Sequence, residues 1–334
     1  MKKKYDFVSV GDITTDAFIR INKASVHYDK DERHEQLCLA NGSKIPYEFV
    51  KVVPAVGNSA NAAVSASRLG LDTALISNLG DDDAGREDLD VLNDEGVNTD
   101  FVRIHEGHSS NYHYVLWHKA ERTILIKHEE YPYEMPEIKG PDWMYFSSVG
   151  ENSMDFHDAV AEYSRNHPET KLAFQPGTFQ IKLGAEKLKA LYENTELFFC
   201  NVEEARLILG DENSEIEKKE LPVKIHDLGP KIAVITDGAE GLYAYEGDDQ
   251  GVWFMPPYPD PKPPYERTGA GDSFSSTFTA TLAAGKSVEE ALKWGPINSM
   301  SVVQYVGAQE GLLTQEKIEE YLKDAPDDYY PRKV

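Results

Sequence analysis

Residues 266–274 read ERTGAGDSF. Three small residues, Gly269, Ala270 and Gly271, run into Asp272 and then into the helical pattern SFSSTFTATLAAG. A helix start offers unpaired backbone N–H groups and a partial positive charge. Small residues there let an anion approach the backbone closely. A resting anion would be repelled by Asp272. A transient one suits it, because a phosphoryl group in flight needs donors around its oxygens and a base to take the acceptor's proton. The stretch therefore points to phosphoryl transfer onto an alcohol. The competing account makes Asp272 a plain helix cap, a common place for Asp.

Such a turn needs a rigid platform. YDFVSVG (5–11), DTALISNLG (72–80), DWMYFSS (142–148), KLAFQ (171–175), ELFFCN (196–201) and KIAVITDG (231–238) read as buried strands. Helical segments lie between them, among them GNSANAAVSASRLG (57–70) and AGREDLDVLNDEG (84–96). This alternation predicts an α/β fold with a mostly parallel sheet covered on both faces. Residues 14–53 and 108–128 break the pattern with alternating polar and apolar residues, as expected of antiparallel strands wet on one side. Together they would form a small β lid over the open end of the sheet. The Pro-rich loop MPPYPDPKPPY (255–265) leads directly into the glycine turn and should stiffen its approach.

The totals narrow the partners. The chain has 334 residues, with 58 acidic against 34 basic side chains and a formal charge of −24. That balance disfavours nucleic acid and anionic membranes, although salt adaptation could also produce it. Any phosphate must be held locally. Two cysteines far apart, Cys38 and Cys200, predict no disulfide framework. No apolar run approaches the ~18 residues of a membrane span. MKKKYDFVSVGD reads as a first strand, so a cytoplasmic location is expected.

Five stretches in order resemble the PfkB, or ribokinase-like, family of sugar and nucleoside kinases, over about residues 5–323. TGAGDSF is similar to its C-terminal signature and GNSANAAVSASRLG to its N-terminal one. LGDDDAGREDLDVLNDEGVNTDFV resembles the pattern between them, NVEE (201–204) its N-x-x-E, and TDGAEG (236–241) its nucleotide loop. The resemblance implies a three-layer α/β/α ribokinase-like fold, one kinase domain over 1–334, and a β lid. It implies ATP and Mg²⁺, with a small sugar or a nucleoside as acceptor and a homodimer joined through the lid. By position it makes Asp272 the base and Gly269, Ala270 and Gly271 the hole for the γ-phosphoryl group. Asp16, Gly57, Asn58 and Asn61 become the acceptor pocket. Asn201 and Glu204 organise Mg²⁺ and phosphate, Glu204 through water, and Thr236, Gly238 and Gly241 follow the nucleotide. Taken one at a time, Asn201 could equally be a helix cap and Glu204 a solvated face.

Several positions depart from the pattern. The family's D-T-T is here Glu266-Arg267-Thr268, which weakens the case for a monovalent cation, since Arg267 would oppose it or replace it. Val56-Gly57 stands for a glycine pair. Pro296 falls where an Asn or His often meets the purine, leaving Asn298 or Ser299 as substitutes, or apolar contacts alone to hold the base. AAGKS (283–287) lacks the first glycine of a P-loop. His113 and His118, five apart on a strand, should face opposite sides, so lid histidines rather than a shared metal are expected. Tyr112, Tyr114 and Trp117 are available to a nucleoside's base, although Tyr112 and Tyr114 should share one face and Trp117 the other. A kinase phosphorylating a ribose-like sugar is the leading reading, ahead of an adenosine-type nucleoside kinase. A dinucleotide oxidoreductase would need a G-x-G-x-x-G that VGDITTD lacks, and a non-catalytic nucleotide-binding module should lose Asp272.

Overall fold

The computed structural model describes residues 4–28, 35–119, 121–247 and 251–334. The chain runs through β1 (Phe7–Val10), β2 (Thr14–Arg20), the hairpin β3 (Ser25–Tyr28) and β4 (Glu35–Cys38), β5 (Val50–Val56) and α1 (Asn58–Arg68). It continues through β6 (Thr73–Gly80), α2 (Asp83–Asp94), β7 (Val102–His105), β8 (Tyr112–His118), β9 (Glu121–Leu125) and β10 (Trp143–Phe146). Next come α3 (Met154–Asn166), β11 (Lys171–Phe174), α4 (Thr178–Leu183), α5 (Lys189–Glu193), β12 (Leu197–Asn201), α6 (Val202–Leu209) and α7 (Leu221–His226). The last part holds β13 (Ile232–Thr236), β14 (Leu242–Tyr245), β15 (Trp253–Met255), α8 (Ala270–Ala283), α9 (Val288–Val302), α10 (Gln315–Lys323) and β16 (Arg332–Lys333).

The strand order of the central sheet is β16-β15-β14-β13-β12-β11-β10-β1-β6-β7. Pairing is parallel from β7 to β13 and antiparallel beyond it. Both faces are covered. On one, Phe156, Val160, Leu191, Val202 and Ile225 pack from α3, α5, α6 and α7. On the other, Ala62, Ala66, Phe274, Phe278, Leu292 and Ile318 pack from α1, α8, α9 and α10. Strands buried on both faces must be apolar throughout, as β1 (FVSV) and β10 (WMYF) nearly are. The three-layer architecture expected from the sequence is therefore the one observed.

The lid is a four-stranded sheet, β5-β2-β8-β9. Its outer pairs, β2–β5 and β8–β9, are antiparallel as expected, while the middle pair β2–β8 is parallel. The reason lies in the platform. β2 follows β1 and β8 follows β7, both parallel core strands, so both leave the same end of the sheet in the same direction. The β3–β4 hairpin pairs with neither sheet. AAGKS is a helix junction: Gly285 follows α8 with φ +78°, and Ser287 caps α9. None of the helices among the described residues is long and apolar enough to cross a membrane.

Where the lid joins the core, α2 holds it through one carboxylate. Asp88 Oδ1 accepts from Thr15 Oγ1 at 2.8 Å and from Ala55 N at 2.6 Å. Ala55 sits at φ 56°, a left-handed conformation that an alanine keeps only when its surroundings enforce it. Asp88 is fully buried, and that burial pushes its carboxyl up to about 6. A raised acid binds its proton more readily folded than unfolded. Its stabilising share is complete below the unfolded value and disappears as pH rises through about 6. We predict that Asp88→Asn removes this component. The stability difference between wild type and variant should shift in favour of wild type by on the order of 2 kcal/mol from pH 7.5 to pH 4.5. Denaturant unfolding of both proteins at the two pH values checks it, and a difference that does not change with pH contradicts it.

Candidate active site

The candidate site lies at the carboxyl ends of the parallel strands, where an open α/β sheet leaves a crevice. α1 and α8 pack on one face of the sheet and both begin at this edge. Gly57, at φ +102°, leads into α1, and a Cβ there would lie 2.8 Å from the Asp12 carbonyl oxygen. Gly269, at φ +79°, is the cap residue of α8, and a Cβ there would sit 2.3 Å from Ala308 Cβ. The glycine at each position is thus demanded by both backbone conformation and space.

Asp272 does not cap α8. The cap position belongs to Gly269, which leaves Asp272 in the first turn. Its carboxylate accepts from three side-chain amides: Asn58 Nδ2 at 2.7 Å, Asn61 Nδ2 at 2.8 Å and Gln175 Nε2 at 3.1 Å. The amides are themselves held. Asn61 Oδ1 accepts from Gln309 Nε2 at 3.0 Å, and Gln175 Oε1 accepts from Tyr145 and from Ser275 Oγ at 3.0 Å. Tyr145 is fully buried, and desolvation together with the Asp272 charge keeps its phenol protonated and able to donate. Beside the carboxylate, the first N–H groups of α8, at Ala270, Gly271 and Asp272, have no acceptor within the helix. One carboxylate and a set of unpaired backbone donors therefore share one helix end.

Asp272, Gly269, Ala270, Gly271, Asp16, Gly57, Asn58, Asn61, Asn201, Glu204 and Thr236 all line one cavity of about 370 Å³, a volume within the small-ligand range. Its far end contains groups that the sequence did not single out. Asp12, directly after β1, accepts from Tyr133 Oη at 2.9 Å and faces His128 Nδ1 at 3.2 Å. Asp16 Oδ1 lies 3.4 Å from His113 Nδ1. The two imidazoles are 5.3 Å apart, so two acid–histidine pairs stand side by side. Asp16 Oδ1 and His113 Nε2 are buried with no hydrogen-bond partner among the described residues. Buried polar atoms are rarely left so unless something else satisfies them.

As strand periodicity required, His113 and His118 face opposite sides. His118 is buried with Nδ1 at 2.9 Å from the Ile21 carbonyl oxygen, whereas His113 faces the cavity. The same alternation turns Tyr112 and Tyr114 away from it, and they pair with each other at 5.3 Å. Trp117 is buried under Arg20 and against Tyr265. None of the three lines the cavity, so the expected aromatic set is not at the acceptor. The lid contributes His113, Arg122, Ile124 and Ile126 instead.

A second cleft of about 240 Å³ adjoins the first across Thr236, Arg267, Ala270 and Gly271. Gly238, Gly241, Pro257, Tyr258, Pro296 and Ser299 line it. Asn298 does not. Its side chain is fully buried, donating to Thr277 Oγ1 at 2.7 Å and accepting from Leu313 N at 2.9 Å. One residue is about 100° of helix, which places Ser299 on the cleft and Asn298 in the core. Asn201 and Glu204 cap α6 reciprocally, at 2.8 and 2.9 Å. Glu204 is no solvated face: desolvation, and then the Asp272 charge, raise its carboxyl above the usual range. At Glu266 the guanidinium is not Arg267, which is exposed over the second cleft. It is Arg122 of the lid, at 3.5 Å.

Comparison with known proteins agrees with this geometry. The family model described as pfkB family carbohydrate kinase matches residues 48–315. The ribokinase of Bacillus subtilis is 27% identical over 80% of this chain and 87% of its own length. The aminoimidazole riboside kinase of Salmonella typhimurium is 29% identical over 71% of this chain and 76% of its own. The structure of Arabidopsis thaliana ribokinase complexed with ribose and ATP superposes with a TM-score of 0.77 at 19% identity, covering 97% of this chain and 99% of that one. With more than half the chain matched by the family model, and the same fold in a solved kinase, the protein belongs to the pfkB family of carbohydrate kinases and is an ATP-dependent sugar kinase.

Proposed function

We propose that the protein transfers the γ-phosphoryl group of ATP to a primary hydroxyl of a small sugar, with Asp272 as general base. The observation that carries this reading is the pairing of Asp272 with the anion hole on one helix end, beside a cavity whose far end is lined by hydrogen-bonding carboxylates. The acceptor hydroxyl donates to Asp272. As its oxygen bonds to phosphorus, the bond from phosphorus to the β–γ bridging oxygen breaks and the proton passes to Asp272. N–H groups of Ala270, Gly271 and Asp272 hold the oxygens of the transferring group. Thr236, Gly238, Gly241, Pro296 and Ser299 enclose the nucleotide.

Mg²⁺ fits this site. No group of three or more acidic, His or Cys side chains converges among the described residues, and besides the base Asp272 it is Glu204 that lines the cavity next to the phosphate side. One carboxylate suits an ion that keeps its waters and binds mainly through phosphates. Bound with ATP, the ion would supply positive charge to the phosphates in an otherwise acidic site. We predict that Asp272→Asn lowers kcat by about 10²–10⁴-fold while ATP affinity is retained. Steady-state kinetics and equilibrium ATP binding check this, and near-normal kcat in the variant would contradict the base assignment.

The far end of the cavity supports a sugar as the acceptor. Asp16 and Asp12, each with its histidine, present acceptors and donors at two neighbouring points, the requirement for adjacent sugar hydroxyls. Among the described residues no Tyr, Trp or Phe of the lid lines the cavity to stack on a base, which ranks a free sugar above a nucleoside. We predict that Asp16→Ala and Asp12→Ala each raise acceptor KM by at least about tenfold and leave ATP KM nearly unchanged, since an unmatched hydroxyl costs roughly 1–3 kcal/mol. Nucleosides at least tenfold better than ribose, 2-keto-3-deoxygluconate or fructose by kcat/KM would favour the nucleoside reading and leave the Asp272 chemistry in place.

We also propose a homodimer through the lid. Val50 and Val52 on the edge strand β5, with Tyr47, Tyr114 and Leu125, leave an exposed apolar surface on the lid. Edge strands of this kind are normally covered. Light scattering at micromolar concentration should give twice the 37.5 kDa chain mass, and a monomer mass contradicts it.

A further inference from the structure

Glu266 stands three residues ahead of Gly269, where the anion-binding turn begins, and is 2% exposed. Its Oε1 accepts from Thr268 N at 2.8 Å and Thr268 Oγ1 at 2.6 Å, and its Oε2 faces Gly307 N at 3.5 Å. It therefore ties together the residue before Gly269 and the loop on which Gly269 rests, next to Ala308. Neutral donors alone do not make a buried carboxylate comfortable, because the charge also needs a counter-charge. Among the described residues, the one cation within ion-pair distance is Arg122, with Nη1 at 3.5 Å from Oε1.

Arg122 is on β9, the outer strand of the lid, and lines the acceptor cavity. Two further contacts bring the lid to the same place. Trp117 meets Tyr265 edge-on at 5.2 Å, and Val53 lies against Gly307. The lid thus touches both stretches that flank the turn, 265–266 and 306–307, and at one of them it supplies charge. Lifting the lid would leave Glu266 buried without its counter-charge.

We propose that Arg122 is a positioning residue that couples lid closure to the shape of the anion hole through Glu266. When the lid encloses the acceptor, the guanidinium neutralises Glu266, and Glu266 fixes Thr268 and Gly269 in the conformation that aims the N–H groups of α8. The guanidinium also brings to Glu266 the positive charge that a monovalent cation would otherwise supply. The proposal rests on the kinase reading above. Wild-type ADP release tests that reading separately.

The experiment compares wild type, Arg122→Ala and Arg122→Lys. Each is assayed in potassium and in tetramethylammonium salts of equal ionic strength, with and without millimolar guanidinium. Arg122→Ala should lose about 10²-fold in kcat, the scale of a misplaced catalytic group, while equilibrium ATP affinity stays within about threefold of wild type. Guanidinium, or potassium entering the vacated place, should restore at least about tenfold of the loss. Arg122→Lys should keep most of the rate, and wild type should respond to neither cation. A thermal melt of each variant separates misfolding from mispositioning, and the near-isosteric, uncharged Arg122→Gln, with the same expected loss and rescue, replaces Arg122→Ala if that variant does not fold. Near-wild-type kcat in Arg122→Ala overturns the proposal. So does a loss that no cation restores, or a wild-type enzyme that fails without potassium.

Discussion

The structure is organised around one electrostatic conflict: a carboxylate placed where an anion must bind. Asp272 sits in the first turn of α8, beside the N–H groups that would hold a phosphoryl group. Left to itself it would compete for them. Three amides on two other segments, Asn58 and Asn61 from α1 and Gln175 after β11, hold it by hydrogen bonds instead. They are neutral, so they fix its position without pairing its charge. A proton acceptor oriented next to an anion hole is what transfer to an alcohol requires.

Much of the remaining architecture follows from bringing those segments together. α1 and α8 can share a face only because the sheet is parallel and both helices start at its carboxyl edge. The same geometry puts Asp12, Gln175, Asn201 and Thr236 at the ends of β1, β11, β12 and β13, around one crevice. The lid must then close a cavity that the platform leaves open. It does so with strands that continue core strands outward, and Asp88 clamps its root at Thr15 and Ala55.

Local chemistry was legible in the sequence. The small residues before Asp272, the cap-and-glutamate spacing of Asn201 and Glu204, and the alternation that separates His113 from His118 are short-range signals, and the structure agrees with their geometry. Partnerships across long separations were not. Asp12 meets His128 and Tyr133 from 116 and 121 residues away, and nothing local marks Asp12 as different from any acid after a strand. Arg122 reaches Glu266 only because β9 is the lid's outer strand, whereas the adjacent Arg267 looked the obvious partner. Asn298 was misplaced by one residue of helix, enough to exchange a cleft for the core. Asp12, His113 and His128 add to the cavity lining beyond the positions that the sequence motifs named.

The central claim is that Asp272 touches the hydroxyl that is phosphorylated. The most direct measurement is a structure of the protein with a turned-over sugar and a non-hydrolysable ATP analogue. The account predicts the reacting hydroxyl oxygen at about 2.6–3.2 Å from an Asp272 carboxylate oxygen, with Asn58 and Asn61 still bound to that carboxylate. A reacting hydroxyl that is instead bonded to Asp12 or His113, and out of reach of Asp272, would contradict it.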